Sequence, residues 1–301
     1  MDNFTKRPYG SLLPRSILLF TLLALVSAIA LSGCSVSQAT PPSPPAESAA
    51  SPAPDSQVKA ATAAAETTVR LFFPDQELQR LIKEERPLSG SAGEKVRQTF
   101  ELLKGGPQNG QLTTLIPAKA RLLGVTSKDT QLEVNLSQEI RQSNVGSTGE
   151  ALLIGSLVNS FSSLGYTGVQ LTVEGQKVET LAGHLDISRP LAFFDELTIR
   201  QGPIPPPDKI SDIERDVRQG HQQWRLDPLE VTRVDGIALG FEPEKDCFSL
   251  ISQAEAADKP VAKVRVRHGK LDFLVELTKP AGAGKEHIWV IRSVATAPPG
   301  A

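Results

Sequence analysis

The chain has 301 residues, 40% of them hydrophobic, enough for a leader and two modest domains. A formal net charge of −2 and 5% aromatic content supply neither the basic field nor the stacking surface of a nucleic-acid binder. Only Cys34 and Cys247 carry thiols and no CxxC pair occurs, which argues against a disulfide framework or a cysteine-rich zinc site.

Lys6, Arg7 and Arg15 precede an unbroken apolar run from Ser16 to Ala30, followed by Leu31-Ser32-Gly33-Cys34. A positive end, an apolar middle and small residues at a cleavage site are the order of a secretory signal peptide. The last four residues match a bacterial lipobox, whose cysteine takes a diacylglyceryl group and becomes the mature N-terminus. Residues 1–33 are thus expected to be a lipoprotein signal peptide, with Cys34 the lipid attachment site. The alternative is an uncleaved transmembrane helix, since 16–33 is nearly long enough to span hydrocarbon. Either reading puts the rest of the chain outside the cytoplasm, because the charges lie ahead of the apolar run. Two acyl chains, palmitate among them, anchor stably where one would not, which predicts a membrane-tethered extracytoplasmic protein. After Cys34, residues up to 66 are almost wholly Ala, Pro, Ser and Thr and read as a flexible spacer.

A first domain is expected over 67–200. Val69, Leu71 and Phe73 recur at every second position, a strand pattern closed by Pro74-Asp75. Glu84, Glu85 and Arg86 then read as a charged loop. Ser91 and Glu94 have capping-box spacing, and Val96, Phe100 and Leu103 share a helical face that stops at Gly105-Gly106-Pro107. Leu123 with Val125, and Leu132 with Val134 and Leu136, predict two strands around a turn at Ser127–Thr130. Ser147 and Glu150 repeat the capping-box spacing. Ile154, Leu157, Val158, Phe161 and Leu164 line one face of the helix that follows. Gly165 ends it, and Val169, Leu171 and Val173 form a last strand. The expected fold class is α+β, a two-layer sandwich of order β-α-β-β-α-β with one open sheet face for a partner.

Several short motifs in this span resemble a known family. They are Leu71-Phe72-Phe73-Pro74-Asp75, Leu102-Leu103-Lys104-Gly105-Gly106-Pro107, Leu115-Ile116-Pro117, Val134-Asn135-Leu136-Ser137, Leu157-Val158-Asn159-Ser160-Phe161 and Val169-Gln170-Leu171-Thr172-Val173-Glu174-Gly175. In this order they resemble the GerM domain of sporulation and spore-germination proteins, over roughly Thr67 to Pro190, in a single copy. The resemblance implies a fold akin to the ring-building motif of secretion and engulfment channels. It also implies a bacterial envelope lipoprotein without enzymatic activity.

Pro203–Pro207 reads as a hinge, and a second domain is expected over 201–301. Ile210, Ile213, Val217 and Trp224 suggest a helix. Leu229–Phe241 reads as strand-like, with Asp235-Gly236 as a hairpin dipeptide. Val261–Arg267, Leu271–Thr278 and His287–Val294 complete an antiparallel meander, suggesting an NTF2-like α+β half-barrel.

No GxSxG, no SxxK with KTG and no HExxH motif occurs, and no catalytic, metal or cofactor residue is assigned. Cys247 reads as a buried small hydrophobe and His268 as an exposed hairpin residue. Trp224 and Arg225 are the candidate ligand-pocket residues, at a cone mouth of the second domain; the alternative is a helix end packed over the sheet, the usual place of a buried tryptophan. The expected role is a non-catalytic binding or scaffold module tethered to the membrane. Its expected partner is an envelope protein or peptidoglycan, with no nucleic acid. A small-ligand carrier or enzyme using the C-terminal pocket, and assembly into a homo-oligomeric ring, are the alternatives.

Overall fold

The computed structural model describes residues 67–255 and 259–297. The leader, the spacer and Cys34, which carry the lipid-anchor expectation, lie outside the described residues. All described residues fall within one compact unit.

β1 (Thr67–Pro74) and β2 (Leu81–Leu88) form an antiparallel hairpin, with Thr67 opposite Leu88 and Pro74 opposite Leu81. β2 corrects the reading of Glu84, Glu85 and Arg86 as a loop. Ile82, Glu84 and Arg86 alternate onto one face, and the last two pair there at 2.6 Å. Glu84 also accepts from the amides of Gln108 at 3.0 Å and Asn109 at 2.8 Å. A half-buried strand thus carries charge where the periodicity of apolar residues looks for hydrophobes.

α1 (Ala92–Gly105) starts with the expected reciprocal Ser91–Glu94 capping box and buries Val96, Phe100 and Leu103. β3 (Leu122–Lys128) and β4 (Gln131–Leu136) pair antiparallel. α2 (Ser147–Ser162) then crosses over to β5 (Gly168–Val173), which runs parallel to β4. The fold is α+β, as expected. It has one strand more than expected, and β1 belongs to the hairpin rather than to the β3-β4-β5 sheet.

The second edge of β1 is closed by a helix instead of a strand. Ser156 Oγ donates to the Phe72 carbonyl at 2.6 Å, and the Phe72 amide donates to Ser160 Oγ at 2.9 Å. The Arg70 amide donates to Ser163 Oγ at 3.2 Å. Backbone groups that a neighbouring strand would pair are satisfied by hydroxyls on one face of α2 and by its C-cap, Ser163.

α2 is consequently buried on every side from Leu152 to Phe161, rather than on one apolar stripe. Its start is also not a Ser147–Glu150 capping box, since the cap is Gly146 and no side chain bonds it. Glu150, fully buried, instead accepts from the amides of Leu181 (2.9 Å), Ala182 (2.6 Å) and His184 (2.7 Å). Asn159 bonds both backbone groups of Phe194, at 3.1 and 2.8 Å. Two polar side chains of α2 therefore hold the segment 174–200 as a strap. The strap passes over β5, where Val169 and Leu191 exchange backbone bonds.

The rest of the chain adds β6 (Gly202–Pro203), α3 (Ile210–Arg218) and α4 (Pro228–Asp235). These precede β7 (Cys247–Ala254), β8 (Val261–His268), β9 (Leu271–Thr278) and β10 (Val290–Thr296). The sheet order is β6-β10-β9-β8-β7, an antiparallel meander as expected. Residues 229–241, expected to be strand-like, are helical: α4 is followed by a 3-10 turn at Gly236–Leu239. Asp227 accepts from the Leu229 amide at 2.8 Å, and Pro228 takes the first helical position. Those start signals outweigh the β-branched Val231, Thr232 and Val234. One hydrophobic core runs through both parts, from Val69 and Phe73 to Phe273 and Trp289.

Candidate functional site

The most polar buried grouping lies where the β1–β2 turn meets the C-terminal sheet. Asp75 immediately follows β1, Asp246 immediately precedes β7, and His268 ends β8. His268 is 2% exposed; its Nδ1 lies 2.7 Å from Asp246 Oδ1 and its Nε2 3.3 Å from Asp75 Oδ2. The remaining carboxylate valences are also occupied. Asp75 accepts from the Gln79 and Arg80 amides at 2.9 and 2.8 Å, and Asp246 from the Glu242 amide at 2.7 Å. Around the cluster, Arg80 pairs with Glu242 at 2.8 Å and donates to the Gly240 carbonyl at 3.2 Å.

Burial alone would pull the imidazole pKa down. The hydrogen bonds and charges of Asp246 and Asp75 outweigh it and raise His268 from 6.5 to about 9. Burial likewise pushes Asp75 up, but the His268 hydrogen bond and the two backbone amides hold it below its usual 3.8. The cluster is therefore an imidazolium between carboxylates at neutral pH. With both ring nitrogens bonded and the ring shielded, it joins two parts of the fold and offers no proton to a ligand. This corrects the expectation of an exposed His268. No local signal could have shown it, because its partners lie 193 and 22 residues away.

Cys247 is corrected in the opposite direction. It is exposed, at the start of the edge strand β7, where the apolar run Cys-Phe-Ser-Leu-Ile faces solvent at Leu250 and Ile251. Trp224 and Arg225 do come together: the guanidinium lies over the indole, 4.2 Å from its centroid. Arg225 also forms a two-point pair with Asp235 at 2.8 and 3.3 Å. Beside it lies a cavity of about 360 Å³ lined by Arg225, Ile204, Pro205, Val234 and Ile291, to which Trp224 does not contribute. No group of three or more His, Cys, Asp or Glu among the described residues is placed to hold a metal ion.

The open sheet face is narrower than expected. Gln131, Glu133 and Asn135 share it on β4 with Gly168, Gln170 and Thr172 on β5. The strap covers the β5 part, where Gln170 Nε2 donates to the Ile187 carbonyl at 2.9 Å. What remains is a groove of about 250 Å³ between β3, β4 and the strap, flanked by Thr126, Lys128, Glu133 and Lys177. Among the described residues, no helix is long and apolar enough to cross a membrane.

No curated protein matches the chain. A lipoprotein structure from Clostridium perfringens is 24% identical over 42% of this chain and 87% of its own, with a TM-score of 0.32. The tandem GerMN domains of the Bacillus subtilis sporulation protein GerM are 21% identical over 42% of this chain and 46% of theirs, with a TM-score of 0.36. The first GerMN domain of that protein alone is 23% identical over 42% of this chain and 97% of its own, with a TM-score of 0.35. Residues 70–179, which take in most of the hairpin, α1, the β3-β4-β5 sheet and α2, match the family described as Germane, sporulation and spore germination.

Proposed function

We propose that the protein is a non-catalytic binding or scaffold module of the bacterial envelope, tethered through Cys34, which presents its Germane domain to an envelope protein or peptidoglycan-associated assembly during sporulation or germination. The observation that carries this reading is the family match at 70–179, within which the β3–β4 face stays exposed beside the strap. The polar clusters inside the domain serve the fold, so the surface is what remains for recognition. Thr126 and Glu133 are exposed neighbours across β3 and β4 and bear no core contact. A photo-crosslinker at Lys128, exposed on the same groove, is expected to capture one defined envelope component from the full chain. A Thr126→Arg/Glu133→Arg pair should lose that capture and the sporulation phenotype while keeping the protein membrane-bound. Cys34→Ser should release it from the membrane fraction. Silence of the double variant together with no captured component would overturn the reading.

The cavity beside Arg225 supports a second reading, a carrier of a small apolar ligand, since its volume lies at the low end of the usual ~300–1,000 Å³ for such sites. Ala238 lines it, and Ala238→Trp should abolish binding of a fluorescent apolar probe. Equal probe binding by this variant would remove the reading.

A further inference from the structure

A second group of polar side chains on the β1–β2 hairpin is not used by the fold. The register pairs Phe72 with Lys83 and Arg70 with Glu85, so Arg70, Phe72, Lys83 and Glu85 share one face. The segment 193–201 runs beside that face and encloses with it a hollow of about 200 Å³, to which Phe193, Arg200 and Gln201 also contribute. Phe193 stands edge-on to Phe72, with ring centroids 5.3 Å apart at 80°, yet remains 36% exposed. Its position is fixed, because the next residue is held at both backbone groups by Asn159.

Three cations face this hollow against one carboxylate, Asp195, which meets Arg200 at 3.6 Å in an exposed pair. Lys83 has a 3.4 Å contact with Glu85, which stands opposite Arg70 on the same face but does not line the hollow. Gln201 Nε2 is buried without a hydrogen-bond partner. Arg70, in contrast to Arg200, has no ion-pair partner among the described residues and leaves the hollow a guanidinium that can take an acceptor.

We propose that this hollow binds a carboxylate attached to a small apolar or aromatic body, as at the C-terminal residue of a peptide. Two guanidinium groups suit a planar acceptor, which they can hold at two points. The Phe72–Phe193 pair offers the body an apolar wall. At about 200 Å³ the hollow is smaller than the usual ~300–1,000 Å³ pocket, which suits one residue and not a length of polymer. This site rests on the binding-module reading, naming one chemistry that such a module would recognise.

The test uses the full-length protein and saturation-transfer NMR with N-acetyl-phenylalanine, N-acetyl-phenylalaninamide and inorganic phosphate. The acid should receive saturation at its ring, and the amide should bind at least tenfold more weakly. Affinity for the acid should fall as salt rises, because the rim is exposed. Arg70→Gln and Phe193→Ala, both at exposed positions, should each weaken the acid at least tenfold with an unchanged urea midpoint. Equal binding of acid and amide, wild-type affinity in both variants, or displacement of the acid by phosphate at equal concentration would each overturn the proposal. Loss of this binding with the Thr126→Arg/Glu133→Arg phenotype intact would leave the sheet-face reading standing. The converse result would separate the two sites the other way.

Discussion

The β1–β2 hairpin carries charge in two opposite ways. At its turn, Asp75 meets His268 in a cluster where both ring nitrogens and every carboxylate are bonded and water is shut out. On its outward face, Arg70, Lys83 and Arg200 surround a hollow with few acceptors. The difference separates polar groups that hold the fold from those left for something outside it. Buried and fully bonded, the first group is costly to disturb; exposed and partly unpaired, the second can change without loss of structure.

The sharpest way to break that contrast is His268→Ala. It leaves Asp75 and Asp246 buried without their cation and should cost about 3–5 kcal/mol in urea unfolding. An effect below about 1 kcal/mol would mean that the carboxylates find other partners or water. The same cluster predicts a pH dependence of known sign. The folded pKa of His268 is raised from 6.5 to about 9, so its stabilisation is fully present below 6.5 and is lost as pH rises through 9. Stability should fall by about 3 kcal/mol between pH 6 and pH 10, and His268→Gln should flatten that limb. On the acid side Asp75 is depressed, so stability should also fall as pH drops below 3.8 through its folded value.

Glu150→Ala tests the other buried carboxylate. Removing it orphans the three strap amides and should cost about 2–3 kcal/mol, with faster hydrogen exchange at Leu181, Ala182 and His184. Ser160→Ala removes one acceptor from the β1 edge and should cost about 1 kcal/mol. Arg70→Gln, on the outward face of the same hairpin, should shift stability by less than about 0.5 kcal/mol. If Arg70→Gln destabilised as much as His268→Ala, the contrast between the two groups would collapse.

Much of the α/β part was legible in the sequence, because α1 and β4 bury residues at helical and strand period where those periods place them, and α2 and β5 form where their apolar residues recur although both are buried on all sides. β2 was not, since Glu84 and Arg86 occupy its inward face and satisfy each other there. α4 was misread from its β-branched residues although Asp227-Pro228 carried the opposing signal. Ser156, Ser160 and Asn159 looked like the solvent side of a helix, because nothing local says that a strand edge and a strap lie against them. The candidate sites were the least legible part. His268 and Cys247 exchanged environments relative to expectation, each for a tertiary reason: one meets carboxylates from distant segments, the other starts an edge strand.

The bond between Asp75 and His268 closes a loop of 193 residues, and it has a consequence for how the chain matures. A contact so distant in sequence can form only after most of the polypeptide has been made, and its closure entropy is met late in folding. The Germane segment, near the front of the chain, therefore waits with one end of its first strand unanchored until β8 is in place. A chain exported from its N-terminus would thus complete its core only when its last strands arrive. Truncations between residues 200 and 268 are expected to yield protease-sensitive material even though they retain all of residues 70–179.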